Sequence, residues 1–278
     1  MKAAPFAYER PSSLDAVIAL MAEAKGAAKI MAGGQSLGPM LNLRLVQPET
    51  IIDISGLAEL KRAERCGNEL VIGACVTHGD IEDGRIPDVT RKAMQQVASN
   101  IAYRAVRNRG TIGGSLSHAD PAADWVSALP ALGAKVRLHS PAGHRDIAAE
   151  DFMTGALESA LAANELVESV RVPVRSASAR WGYAKACRKP GEFAHAIAAV
   201  LIDPDAAMGR VVIGAIEAPP IVLTDASSLF GGKITGDFKR EFDANPADAL
   251  LLKAGVANAA DRHIHVAILR RAIAEAAA

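Results

Sequence analysis

Thr111-Ile112-Gly113-Gly114-Ser115-Leu116 repeats, in its make, an earlier stretch of the chain, Ala32-Gly33-Gly34-Gln35-Ser36-Leu37: an apolar residue, a glycine pair, a serine and a leucine. Tandem glycines open backbone conformations closed to other residues and carry no Cβ, so a ligand can touch the main chain itself. Loops of this kind aim N–H groups and a hydroxyl at a small anion. A diphosphate is the natural guest, because amide dipoles and serine hydroxyls meet its charge without a lysine. Glycine fills 23 of 278 positions, a usage that by chance alone gives roughly two Gly-Gly pairs. The shared flanks therefore carry the signal. The third pair, Gly231-Gly232, lacks them and reads as a plain turn.

Working outward, residues 13–24 place Leu14, Val17, Ile18, Leu20 and Met21 at helical spacing behind Ser12-Ser13. Residues 29–32 read as a strand running straight into the first glycine loop, and 50–54 as a second, buried strand. A further strand is predicted at 70–74, a helix from about 88 to 98, and a helix opening on Pro121, since proline suits a first helical turn. Residues 135–139 and 166–172 read as strands, and a first domain closes near Val174. Beyond a small-residue linker at 175–179, the runs 181–185, 194–202 and 209–216 read as neighbouring antiparallel strands turning at 189–191 and 203–205. Ala- and Leu-rich helices are predicted over 247–260 and 262–278, covering a small sheet.

Composition removes several function classes. Half the residues are hydrophobic, and 31 basic residues balance 31 acidic ones, so no electrostatic field for nucleic acid exists. The longest apolar run, 194–202, is far shorter than the roughly 18 residues of a membrane span. The first residues lack an apolar signal core, so a cytoplasmic location is expected. Cys66, Cys75 and Cys187 make no C-x-x-C pair, which leaves neither a disulfide framework nor a cysteine-built cluster. His263 and His265 sit two apart on a helical pattern and point to different faces, so no metal ligand is expected. No acid–base pair or nucleophile motif stands out, and no catalytic residue is assigned.

Arg107-Asn108-Arg109-Gly110-Thr111-Ile112-Gly113-Gly114-Ser115-Leu116-Ser117-His118-Ala119-Asp120-Pro121-Ala122-Ala123-Asp124, together with residues 32–37, resembles the flavoprotein (medium) subunit of the molybdenum hydroxylases. That group includes carbon monoxide dehydrogenase and xanthine dehydrogenase. The resemblance extends over nearly the whole chain, from Phe6-Ala7-Tyr8-Glu9-Arg10-Pro11-Ser12-Ser13-Leu14 to a looser match at 264–273. It implies an α+β fold: a two-lobed FAD-binding domain of the vanillyl-alcohol-oxidase (PCMH) type over 1–175, with lobes at about 1–57 and 58–175. A C-terminal flavoprotein domain over 176–278 follows.

By position, the resemblance puts Ala32, Gly33, Gly34, Gln35 and Ser36, with Thr111, Ile112, Gly113, Gly114 and Ser115, around the FAD diphosphate. Leu37, Ile101, Ala102 and Ser117 lie beside them. Asp124 points toward the adenosine or ribityl portion, although a first-turn helix acid explains it equally. Leu166 and Val167 pack against the flavin. Lys185 matches a lysine near the isoalloxazine, where a cation stabilises the negative charge that reduction builds, while its sequence alone reads as a surface lysine. Phe193 stands where relatives often have Tyr or Trp over one flavin face, and Gly38 where they often have a bulky apolar residue. Residues 34–35 offer no histidine for a covalent link, so the FAD is expected to be dissociable.

The implied function is an electron-transfer subunit of a heterotrimeric hydroxylase, assembled as a dimer of trimers. Substrate is hydroxylated at a molybdenum cofactor in a large subunit. Electrons pass through [2Fe–2S] clusters in a small subunit, and FAD hands them to an external acceptor. Two alternatives stand: a stand-alone FAD-dependent oxidoreductase of the same fold, and a nucleotide-binding scaffold without redox work.

Overall fold

Three short parallel strands, β1 (Ala7–Glu9), β2 (Ala28–Met31) and β3 (Thr50–Asp53), lie in the order β1-β3-β2. The computed structural model from which they are read describes residues 2–231 and 242–278. Between β1 and β2 runs the predicted amphipathic helix, Leu14–Glu23, whose first turn is capped by the Ser13 hydroxyl accepting from the Ala16 amide at 3.3 Å. Its Val17 and Ile18 pack with Ile52 and Ile54 into a small core closed by Leu57, Leu60, Cys75 and Leu166. As expected, β2 delivers the chain from its carboxyl end into the first glycine loop, and the Leu37–Asn42 helix follows.

The second sheet is antiparallel and has five strands. β4 (Ala63–Cys66), β5 (Glu69–Gly73), β6 (Lys135–Ser140) and β7 (Gly143–Ala148) are followed by a two-stranded ribbon, β8 (Met153–Gly155) with β9 (Glu158–Ser159), and by β10 (Leu166–Pro173). Their order is β4-β5-β10-β6-β7. Leu70, Ile72, Val136, Leu138, Val170 and Val172 alternate inward and are fully buried. The same core takes in the Asp124–Ala131 helix, all eight residues of which are buried, Trp125 completely.

The third sheet, β11 (Arg180–Ala186), β12 (Ala196–Asp203), β13 (Met208–Gly214) and β14 (Ile221–Leu223), is antiparallel in chain order, with the expected turns. Every residue of β12 is buried, because its two faces serve two cores. Ile197 and Ala199 join the core of the five-stranded sheet, whereas Ala196, Ala198, Val200 and Ile202 face Leu269, Ala272 and Ile273 of the long Ala259–Ala276 helix. Burial on both faces is why the stretch after the exposed His195, residues 196–202, reads as an unbroken apolar run. The helix presses on β11 so closely that a Cβ at Gly182 would lie 1.8 Å from the Ala272 carbonyl oxygen.

Several boundaries differ from the expectations. The helix predicted from 88 begins at Ala93, because the Asp88 carboxylate accepts from the Thr90 and Lys92 amides, at 2.9 and 2.8 Å, and holds a turn. The helix predicted from Pro121 begins at Asp124, after a turn in which Asp120 accepts from the Ala122 and Ala123 amides. The tail helices are Ala244–Lys253 and Ala259–Ala276, parted by a turn at Gly255, whose φ is +95°. The stretch read as a linker is pinned: Ser176 donates to Asp203 at 2.5 Å and Arg175 to the Leu132 carbonyl. Gly231 ends a 3-10 turn at φ +69°, and Gly232 lies outside the described residues. Among the described residues no helix is long and apolar enough to cross a membrane.

Candidate functional site

At the carboxyl end of β2 the chain turns through Gly34, whose φ of +70° is the one place in either glycine pair where the left-handed region is used. The carbonyls of Gly34 and Ser36 start the next helix, accepting from Gly38 at 2.9 Å and Met40 at 3.1 Å. The amides of Gly34, Gln35 and Ser36 donate to no acceptor among the described residues, and the Ser36 hydroxyl makes no capping bond. Gln35 braces the turn by donating from Nε2 to the Gly33 carbonyl at 3.2 Å. Three successive free N–H groups at a left-handed turn form a concavity suited to an anion.

The second glycine stretch is built differently. It is the first turn of the Ile112–His118 helix, with Thr111 as N-cap. Ile112 donates its amide to Val76 at 3.1 Å, Gly113 to Ala74 at 3.0 Å, and Gly114 to the Thr111 hydroxyl at 3.1 Å. Ser117 donates its hydroxyl back to Gly113 at 2.8 Å. What this stretch offers a ligand is the Ser115 hydroxyl, without a partner among the described residues, and the positive end of the helix. Ile112 is fully buried core.

The two stretches lie against each other. A Cβ at Gly33 would fall 2.1 Å from the Arg109 carbonyl oxygen, and one at Gly114 would stand 4.0 Å from the Ala32 Cβ. Beneath them sits His78. Its amide donates to the Gly110 carbonyl at 2.9 Å, and its Nδ1 accepts from the Trp125 indole at 3.1 Å. Burial, with the Arg107 charge adding to it, pushes the His78 imidazole down to about 4 from its ordinary 6.5. The unfolded chain therefore binds a proton that the folded chain refuses. Stability is expected to fall by roughly 3 kcal/mol as pH drops through the window from 6.5 to about 4, and His78→Gln should remove that part of the slope in urea unfolding. His265, also lowered by burial, leaves a smaller slope of the same sign.

Beside the helix start, Ala102 holds a φ of +40°, a strain of roughly 1 kcal/mol or more. Arg107 fixes it, donating to the Ile101 and Ala102 carbonyls at 2.9 and 3.0 Å while its other edge grips Glu82 at 2.7 and 2.9 Å. Lys185 is not a surface lysine: its side chain is 9% exposed, and Nζ donates to Asp124 at 2.9 Å and to the Asn100 carbonyl at 2.6 Å. Tyr183 donates to the same Asp124 oxygen at 2.6 Å, and burial, reinforced by that carboxylate, holds its hydroxyl well above the usual phenol range. Leu166 and Val167 are both buried, one in the small N-terminal core and one in the main core. Phe193 is 69% exposed on the β11–β12 connection, whose Gly191 approaches the Tyr103 ring.

Sequence reasoning missed Arg107, His78 and Tyr183. His78 and Tyr183 act through Trp125 and Asp124, far away in the chain, and Arg107, although it opens the long signature stretch, gains its role only when Glu82 fixes it over the 101–102 turn. It also missed His139, His144 and Glu168, which three strands bring together on the outer face of the five-stranded sheet.

Comparison with known proteins shows the family to which the chain belongs. Residues 4–175 match the family described as FAD binding domain in molybdopterin dehydrogenase. The chain is 36% identical over 226 residues to the caffeine dehydrogenase subunit beta of Pseudomonas sp. (strain CBB1), covering 80% of this chain and 76% of that one. It is 36% identical over 197 residues to the carbon monoxide dehydrogenase medium chain of Hydrogenophaga pseudoflava, covering 71% and 69%. Among solved structures, the carbon monoxide dehydrogenase of Hydrogenophaga pseudoflava superposes with a TM-score of 0.89 at 30% identity over 99% of this chain and 98% of that one. Quinoline 2-oxidoreductase of Pseudomonas putida 86 gives 0.87 at 32% identity over 100% and 98%. The donor set of free amides and hydroxyls, the paired glycine stretches and these likenesses converge, and the chain belongs to the FAD-binding medium-subunit family of the molybdenum hydroxylases.

Proposed function

We propose that this chain holds FAD non-covalently and serves as the electron-exit subunit of a heterotrimeric molybdenum-containing hydroxylase. Electrons arrive from [2Fe–2S] clusters of a small subunit and leave to an external acceptor. The hydroxylated substrate is handled at a molybdenum cofactor in a large subunit, and two trimers pair. FAD, when bound, supplies a carrier that takes electrons singly and passes them on in pairs. The observation that carries this reading is the free-amide turn of Gly34, Gln35 and Ser36 laid against the Gly114–Ser115 helix start.

In this reading the amides of residues 34–36 and the hydroxyls of Ser36 and Ser115 hold the diphosphate. Arg107 keeps residues 101–102 in their strained turn beside it, and the Asp124 carboxylate fixes the Lys185 ammonium. Leu166 and Val167 support the flavin from their buried strand end, and Phe193 covers its outer face. Residues 1–57, 58–175 and 176–278 act as three units around the cofactor; the family match ending at residue 175 supports the second boundary.

The test is the absorbance of the purified chain and of its complex, followed by denaturation to release and identify the cofactor. Free FAD from this chain, with iron and molybdenum only in co-purifying subunits, is the expected result. A colourless chain that no added FAD reconstitutes overturns the reading. Gly114→Val sharpens it. The position is exposed, but a Cβ there meets the Thr111 capping hydroxyl at 2.8 Å. We expect a stability loss of about 1 kcal/mol from the disturbed cap and a much larger loss of FAD occupancy, read from the ratio of flavin to protein absorbance.

A further inference from the structure

We propose that His139, His144 and Glu168 form a binding site for one divalent transition-metal ion of the borderline class, zinc foremost, on the outer face of the five-stranded sheet. His139 on β6 and His144 on β7 are direct cross-strand partners, so the register of the hairpin places both imidazoles on one face. Their rings meet edge to face with centroids 4.3 Å apart. Glu168 reaches them from β10, where a bulge between Val167 and Ser169 shifts the register. A bulge re-aims the side chain it carries.

The ligand atoms converge. Glu168 Oε2 lies 3.5 Å from His139 Nδ1 and 2.6 Å from His144 Nδ1, and all three ligand atoms fall within 4.8 Å of one another. Bonds of about 2.0–2.1 Å to a tetrahedral ion separate neighbouring ligand atoms by roughly 3.3 Å, so the His139–Glu168 pair already has the spacing. His144, half exposed beside the hairpin turn, needs to withdraw by less than about 1 Å to match. His139 Nδ1 is a buried atom without a hydrogen-bond partner, and the buried Glu168 Oε2 faces only the two imidazoles, so a shared cation would satisfy all three groups at once.

The charges around the cluster leave the task to these three residues. On the same sheet, Arg137 is tied to Asp146 at 2.8 Å and Arg171 to Glu69 at 2.7 Å. Two imidazoles and one carboxylate suit zinc, nickel or copper, whereas magnesium and calcium demand more oxygen ligands than the site has. Three protein ligands leave a fourth position for water. Bound there, the ion ties the β6–β7 hairpin to β10.

The test uses the full chain after chelator treatment. Cobalt(II) alone is titrated as the probe and read by its visible d–d absorption, and zinc alone by the shift in Tm. One equivalent with the intense bands of tetrahedral coordination, and a Tm rise with zinc, are expected. Both should be lost in His144→Ala, where the substituted residue is exposed enough to leave folding intact, and in Glu168→Gln, which keeps the side chain's size. FAD content should be unchanged in both variants. Weak octahedral bands, or an affinity and stoichiometry that His144→Ala leaves as they were, would place the metal on other histidines and overturn the site.

Discussion

Gly33→Ala is expected to abolish FAD binding and to destabilise the chain by about 3 kcal/mol, although it adds a single methyl group. The reason is position, not conformation. Gly33 does not use the left-handed region, yet an ideal Cβ there falls 2.1 Å from the Arg109 carbonyl oxygen and 2.9 Å from the Gly110 Cα. Both obstacles are backbone, so no rotamer relieves the clash, and the two glycine stretches must move apart. That separation opens the space in which residues 34–36 and Ser115 act together. Gly38→Ala is the matched control: nothing lies within 4 Å of its Cβ, and both FAD content and stability should stay near those of the parent. Flavin absorbance and urea unfolding read both effects. Normal FAD occupancy in Gly33→Ala would show that the close approach of the two stretches is not needed for binding.

The same contact explains how much of the site the sequence could reveal. The shared glycine pattern located both stretches and placed the first at the end of a strand, because strand and turn signals are local. Why each glycine is there was not legible. Only Gly34 needs its conformational freedom; Gly33 is excluded from having a side chain by Arg109, and Gly113 by Ala74, whose Cα lies 2.8 Å from its ideal Cβ. Those neighbours are supplied by tertiary packing, and no window of sequence contains both members of either pair. The internal satisfaction of the Ile112, Gly113 and Gly114 amides escaped detection for the same reason, since two of the acceptors come from Val76 and Ala74. Strands such as β7, with His144, Arg145 and Asp146 in its middle, escaped because an edge strand facing solvent carries little apolar alternation. Lys185 looked like any surface lysine until the β11 register set it opposite the Asp124 helix.

Lys185→Met is expected to destabilise the chain by about 3–5 kcal/mol and, in the proposed site, to make flavin reduction less favourable. Removing the ammonium leaves the Asp124 carboxylate, 8% exposed, with the Tyr183 hydroxyl as its remaining partner, and frees the Asn100 carbonyl that leads into the 101–102 turn. The two consequences separate in a double-mutant cycle. Adding Asp124→Asn to Lys185→Met removes the stranded charge, so stability should recover by a large share of the loss, on the order of 2 kcal/mol. The flavin midpoint potential should not recover, because the double variant still lacks the cation that offsets charge on the reduced flavin. A potential unchanged in the single variant would confine Lys185 to holding β11 against the Asp124 helix, with the flavin tuned by other groups. A potential that falls in Lys185→Met and returns with Asp124→Asn would instead assign the tuning to the stranded carboxylate. Only a fall that persists in the double variant, alongside restored stability, identifies the ammonium as the group that the flavin senses.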